Sequence, residues 1–287
     1  MKEDIKAFLE YLATKENCSQ STLAAYGNDL NQLMAYIEVE RAKEIIRSSG
    51  ELLKSYLLNL RERRYSTATI ARKVASAKSF FKFMVDSGKL RENPTKNLIS
   101  PRVSKHPPKF LSPPEYQHLL AEPKKLSTPE ARRDVVMLEL LYATGLRASE
   151  LVSLNVKDID LEHSCVHCVH GSSKRRIPFD HHINQILRNF LANDRLDLLY
   201  DEMEEALFLN RRGGRLTRQG FWQIVKNHAS KAGLSAKITP HTLRHSFAAR
   251  QLQSGADLQS VQRALGHAYI SSTRIYKQSS SLAKVNE

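Results

Sequence analysis

Ser100-Pro-Arg-Val-Ser-Lys-His-Pro-Pro-Lys-Phe-Leu-Ser-Pro-Pro114 is the stretch that sets the architecture of this chain. Its prolines deny helix to the segment and favour extended chain, so residues 100–111 read as a linker. Upstream, residues 1–99 carry apolar side chains at helical spacing in four runs. These are Ile5, Phe8, Leu9 and Leu12; Tyr26, Leu30, Leu33 and Ile37; Leu52, Leu53, Tyr56, Leu57 and Leu60; and Ile70, Val74, Phe81 and Val85. Four amphipathic helices of this length make a small bundle. Ser66 can cap the fourth, Gly88 supplies a left-handed stop, and Asn93-Pro94 ends helical continuation. Downstream, Ser112-Pro-Pro-Glu115 has the capping-box spacing and opens a second domain, 112–287, with a helix. Val135 to Tyr142 is nearly all apolar, as a buried helix requires, and Gly145 interrupts it. From Cys165 to Pro178 the residues are β-branched and alternating about a Gly171-Ser-Ser173 turn, which reads as a hairpin. The expected fold is mainly α: a helical bundle, then an α+β domain with a small antiparallel sheet.

At 287 residues with 41% hydrophobic content, the chain can bury two apolar cores. Its 44 Lys and Arg exceed 30 Asp and Glu, leaving +14. The excess is uneven: residues 1–50 hold 6 basic and 8 acidic side chains, residues 51–100 hold 11 and 4. A basic block inside a folded domain points to a polyanion, with a merely solubilising surface as the plainer alternative. Arg72, Lys73, Lys78 and Lys82 on the fourth helix can lie along a phosphate backbone or form a solvated face. No segment approaches the roughly 20 apolar residues of a membrane span, and no leader pattern opens the chain, so a cytoplasmic protein is expected. Cys18, Cys165 and Cys168 are too few and too unevenly placed for a disulfide framework, in line with a reducing compartment.

The candidate chemistry lies in the second domain. Arg147 follows Gly145-Leu146 and is flanked by Ala148, Leu151 and Leu154, so its guanidinium leaves a mostly apolar helix. It either enters a cleft or pairs with Glu150 one turn on. Thr239-Pro240 opens a helix that sets His241 and Arg244 a turn apart, where backbone N–H groups also favour an anion. Leu258, Val261 and Leu265 form the stripe of the next helix, Gly266 stops it, His267 follows, and Tyr276 lies in a helix restarting at Ser271-Ser272. A guanidinium grips phosphate oxygens bidentately, an imidazole moves protons near neutral pH, and a phenol can be a nucleophile. The set suits phosphodiester chemistry. The same helix–turn–helix pattern also suits a DNA-binding motif in which Tyr276 is only packing.

Four motifs in order resemble the tyrosine recombinases, especially the short Xer type. They are Thr144-Gly-Leu-Arg147-Ala-Ser-Glu-Leu151, Pro240-His241-Thr-Leu-Arg244-His-Ser-Phe-Ala248, Gly255-Ala-Asp-Leu258, and Leu265-Gly-His267 with Tyr276 nine residues on. Ser21-Thr-Leu-Ala-Ala-Tyr26, Ser79-Phe-Phe-Lys-Phe83 and the linker extend the resemblance over nearly the whole chain. It implies a SAM-like, core-binding N-terminal domain and a catalytic domain that embrace double-stranded DNA as a C-shaped clamp. It also implies a homo- or heterotetramer acting on two DNA sites without a cofactor. Carried over, Arg147 and Arg244 bind the scissile phosphate, Tyr276 attacks it, and His241 and His267 assist. Two fixed guanidinium groups can stabilise the phosphoryl charge that metal ions handle elsewhere. The family's Lys in the hairpin turn is the point of departure. Counting back from Pro178 its position falls on His170, with Lys174 four residues later. Lys174 is taken as the general acid and His170 as its rival. A type IB topoisomerase and a catalytically silent DNA-binding relative are the alternatives.

His163, Cys165, His167, Cys168 and His170 lie within eight residues, which raises zinc. No metal is expected, because a second Cys or His knuckle is missing and Cys165 and Cys168 project from opposite faces of a strand.

Overall fold

The computed structural model describes residues 1–42, 49–103, 109–170, 173–235, 237–266, 273 and 276. The chain divides into two compact units, Met1–Lys105 and His106–Glu287.

In the first unit α1 (Lys2–Thr14), α2 (Gln20–Ala42), α3 (Ser49–Glu62) and α4 (Thr67–Asp86) bury the apolar runs read from the sequence. Phe8, Leu30, Leu53, Leu60 and Phe80 make its centre, with the Phe8 and Phe80 rings edge to face at 5.5 Å. Each such side chain contributes roughly 1.5–3 kcal/mol by leaving water. Ser66 caps α4 by accepting from the Thr69 amide, and Gly88, at φ 73°, takes the left-handed turn beyond its end.

The basic face expected on α4 is only partly a face. Lys73 is buried, donating to Asp29 at 2.8 Å, and Arg72 pairs with the same carboxylate. Helical geometry places position 73 between Ile70 and Val74 on the inward side, so this charge serves the bundle rather than the surface. Lys82 remains exposed.

In the second unit α5 (Pro113–Lys124) opens with the full capping box, Ser112 and Glu115 each accepting from the other's backbone amide. α6 (Pro129–Thr144) is the central helix, buried almost all round through Val136, Met137, Leu138, Leu140 and Leu141. Gly145 ends it at φ 62°, and a Cβ there would lie 2.3 Å from Phe247 Cδ1. Only glycine satisfies both the turn and the contact.

After α7 (Ala148–Ser153), β1 (Ile159–Asp160), β2 (Cys165–His170) and β3 (Ser173–Pro178) form an antiparallel sheet in that order. The register pairs Asp160 with Cys165, Cys168 with Arg175, and Val169 with Lys174. Val166, Cys168 and Ile177 face the core, while Lys174 and Arg176 are exposed on the other side. β1 is two residues long, too short to leave a sequence pattern.

α8 (His181–Asn189), α9 (Arg218–Lys231), α10 (Pro240–Gln253) and α11 (Leu258–Leu265) complete the described α-helices of this unit. α10 packs along α6: the Arg250 guanidinium stacks 4.3 Å over the Tyr142 ring and donates to its carbonyl, and Ser246 accepts from the Leu111 amide. Among the described residues no helix is long and apolar enough to cross a membrane.

Candidate active site

Three guanidinium groups converge on the C-terminal end of α11. Arg175 Nε donates to the Ala264 carbonyl at 3.2 Å, Arg244 to Leu265 at 2.6 Å, and Arg147 to Gly266 at 2.7 Å. The last carbonyls of a helix lack intrahelical donors and carry its negative dipole end, so cations are favoured there. Gly266, at φ 63°, closes the helix, and a Cβ at this position would fall 2.7 Å from Arg175 Nη1.

Each arginine is also held from behind. Arg147 sits at the N-cap of α7, where the capping carboxylate of Glu150 accepts from its amide and from its guanidinium, both at 2.7 Å. Glu150, 2% exposed, also accepts twice from Arg175, at 3.1 and 2.7 Å. Burial alone would raise this carboxyl, but the bonds from Arg175 and Arg147 outweigh it and hold the pKa at about 2. Arg244 is 4% exposed and anchored by the Gly145 carbonyl at 2.6 Å, the atom where α6 ends. Burial, and then the charge of Arg147, bring its pKa down to about 10, which still leaves it cationic at neutral pH.

Thr239 and Pro240 start α10 as the capping pattern requires, with the Thr242 hydroxyl accepting from the Thr239 amide at 3.1 Å. His241 lies on the exposed rim of this first turn. Partial desolvation, then the charges of Arg218, Arg244 and Arg147, push its pKa below the ordinary imidazole value. One turn on, His245 Nδ1 is 2.7 Å from the Tyr276 hydroxyl. Burial, then His241 and Arg244, bring His245 down to about 4, so its ring is neutral near pH 7. A neutral ring protonated on Nε2 accepts the phenolic hydrogen at Nδ1. Tyr276 is 4% exposed and packs with Phe247, Ala248, Val261 and Leu265. Burial pushes its phenol above the ordinary range, with the charge of Arg244 acting in the opposite direction.

Residues 109–282 match the phage integrase family, and residues 5–88 match a phage integrase N-terminal SAM-like domain. The chain belongs to the phage integrase family. It is similar to tyrosine recombinase XerC of Roseiflexus sp. (strain RS-1), with 46% identity over 279 residues, covering 96% of this chain and 89% of that protein. Tyrosine recombinase XerD of Halalkalibacterium halodurans is 38% identical over 281 residues, covering 96% of this chain and 93% of that one. In fold the chain is similar to XerH site-specific recombinase bound to a palindromic difH substrate, at TM-score 0.72 and 24% identity, covering 98% and 92% of the two chains.

Of the integrase-type residues named from sequence, the structure brings Arg147, His241, Arg244 and Tyr276 into one charged neighbourhood. His267 lies outside the described residues. Lys174 is not brought into the cluster: β alternation carries it onto the exposed face of β3, opposite Arg175. Glu150 was read only as a helix partner, and it proves to be the shared counter-ion of two arginines. Arg175 and His245 were missed. The signal for Arg175 was its spacing of two from Ile177, which puts it on the inward face of β3.

Proposed function

We propose that this chain is a site-specific DNA recombinase of the Xer type, which breaks and rejoins duplex DNA through Tyr276. The observation that carries this reading is the pair of guanidinium groups, Arg147 and Arg244, fixed on adjacent carbonyls beside a phenol that is hydrogen-bonded to an imidazole. Such groups meet the developing charge on phosphoryl oxygens with little reorganisation. Tyr276 Oη would form the new P–O bond as the bond to the 5′-oxygen breaks. The phenolic proton would be lost to an imidazole, and the leaving oxygen would take one from a general acid. The product is a 3′-phosphotyrosine and a free 5′-hydroxyl, and attack by a 5′-hydroxyl of another strand reverses the step without ATP.

His245 would hold the phenol for attack, and His241 and His267 would contact the phosphate. Lys174, on the outward face of β3, is proposed as the general acid. His170 is the rival donor. The first unit, through the exposed part of α4, would grip the duplex beside the cleavage point, and residues 112–287 would do the chemistry. Recombination joins two sites, so four protomers, identical or of two kinds, would assemble on DNA in the cytoplasm.

The test uses a pool of nicked duplexes incubated with the wild type and with Tyr276→Phe, followed by recovery of protein–DNA adducts that survive denaturant. Adduct from the wild type alone supports the reading, and adduct from both removes Tyr276 as nucleophile. Tight binding with no adduct from either would favour a silent DNA-binding relative. Lys174→Ala and His170→Ala in the same assay assign the general acid to whichever residue's loss stops cleavage.

A further inference from the structure

A second cluster of reactive side chains lies on the outward face of the sheet, on the side away from Arg175 and Glu150. Asp160 on β1 is the register partner of Cys165 on β2, and His167 follows Cys165 by two, so all three project from one face. Cys165 Sγ is 3.9 Å from His167 Nε2, and that nitrogen is 3.5 Å from Asp160 Oδ2. One donor atom from each of the three lies within 4.8 Å of the others. His163, in the turn between the strands, places Nδ1 2.9 Å from the same Asp160 oxygen and donates its backbone amide to the other oxygen at 2.9 Å.

We infer that Asp160, Cys165 and His167 form a zinc-type metal site that clips β1 to β2, with the exposed ring of His163, now bonded to Asp160, turning in as the fourth ligand. Bond lengths of about 2.3 Å to sulfur and 2.0–2.2 Å to nitrogen and oxygen, at tetrahedral angles, put ligand atoms about 3.3–3.6 Å apart. The two His167 pairs, at 3.5 and 3.9 Å, need shifts of a few tenths of an ångström, while Asp160 and Cys165, within 4.8 Å, close further and the His163 ring rotates to join them. The donor set is one thiolate, two imidazoles and one carboxylate. It selects a borderline-soft transition ion over calcium or magnesium, which take oxygen ligands. A purely hydrogen-bonded cluster explains the two imidazoles on Asp160. Among the described residues it gives the buried Cys165 thiol only weak sulfur contacts, to His167 and to Arg176 Nη2 at 3.5 Å. Arg176 is exposed and can swing to solvent as the metal enters.

From sequence, zinc is not expected, because a second Cys or His knuckle is missing and Cys165 and Cys168 cannot share a face of a strand. They do not, and Cys168 faces the core. The ligand that replaces it, Asp160, comes from β1, a two-residue strand whose register with Cys165 the sequence does not reveal.

The test is metal titration of the purified full-length chain after chelation. Zn²⁺ should be retained at one equivalent per chain after dialysis. Co²⁺ should give visible bands of tetrahedral intensity and a near-ultraviolet thiolate charge-transfer band. Cys165→Ser should abolish the charge-transfer band, and Cys18→Ser should leave it intact. Because Cys165 is buried, the exposed changes His163→Ala and His167→Ala are run beside it, with far-ultraviolet circular dichroism as the check on folding. Each should weaken Co²⁺ binding at least tenfold. A folded wild type that retains no zinc and gives no charge-transfer band with Co²⁺ overturns the inference. So does a band that survives in folded Cys165→Ser, or binding unchanged in both histidine variants.

Discussion

Replacing Glu150 by Gln keeps the volume at the centre of the arginine cluster and removes its only buried counter-charge among the described contacts of Arg147 and Arg175. The carboxyl falls from an ordinary 4.5 to about 2 in the folded chain. At about 1.4 kcal/mol for each tenfold in proton affinity, the ionised form adds roughly 3 kcal/mol to stability. The folded pKa is depressed, so this contribution is fully present above pH 4.5 and is lost as pH falls through 2. Glu150→Gln should therefore be about 3 kcal/mol less stable than the wild type at pH 7, with the gap closing between pH 4.5 and 2. Trp222, the chain's single tryptophan, lies in α9 of the second unit, so urea denaturation followed by its fluorescence reads that unit alone. Two stability curves that stay parallel from pH 7 to pH 2 would refute the reasoning, because the gap would then have nothing to do with ionisation of Glu150.

Three further outcomes are expected. His245→Phe should lower adduct formation about tenfold by removing one hydrogen bond to the Tyr276 phenol. Because the folded His245 pKa is lowered to about 4, its contribution to stability is complete above pH 6.5 and fades toward pH 4, and this dependence should vanish in the variant. Gly145→Ala should cost about 2–4 kcal/mol in the Trp222-monitored transition, since it combines a left-handed backbone with a clash on Phe247. Lys73→Ala should destabilise the first unit by about 3 kcal/mol by leaving Asp29 short of a buried partner, whereas Lys82→Ala should leave stability unchanged and reduce the salt dependence of DNA binding by about one phosphate contact.

Where the sequence was legible, the determinant was local. Ser112 with Glu115, Ser66 before α4, and Gly145 and Gly266 after their helices are capping signals complete within four residues, and the apolar runs of α1 to α4 repeat at the helix period. The first site motif was legible for the same reason, since Arg147 and Glu150 share one short helix start. What escaped depended on strand register and on contacts between segments far apart in sequence. The partnership of Asp160 with Cys165 is set by strand register, and the inward course of Arg175 by which face of β3 meets α11. Lys73 escaped because a lysine inside a helix reads as solvated until its acidic partner 44 residues away is known. His245 escaped because its contact with Tyr276 spans 31 residues.

The three arginines that close on α11 give the site a reciprocal character. Their heads are oriented by peptide oxygens at a helix terminus, so the stiffness of that terminus and the readiness of the guanidinium groups are one quantity measured from two ends. By linkage, whatever affinity an anion gains from finding Arg147 and Arg244 already aimed is returned as protection of α11 against fraying. Amide hydrogen exchange at Gly266, whose N–H bonds back to the Arg263 carbonyl, would report occupancy of the cluster from a position that need not touch the ligand.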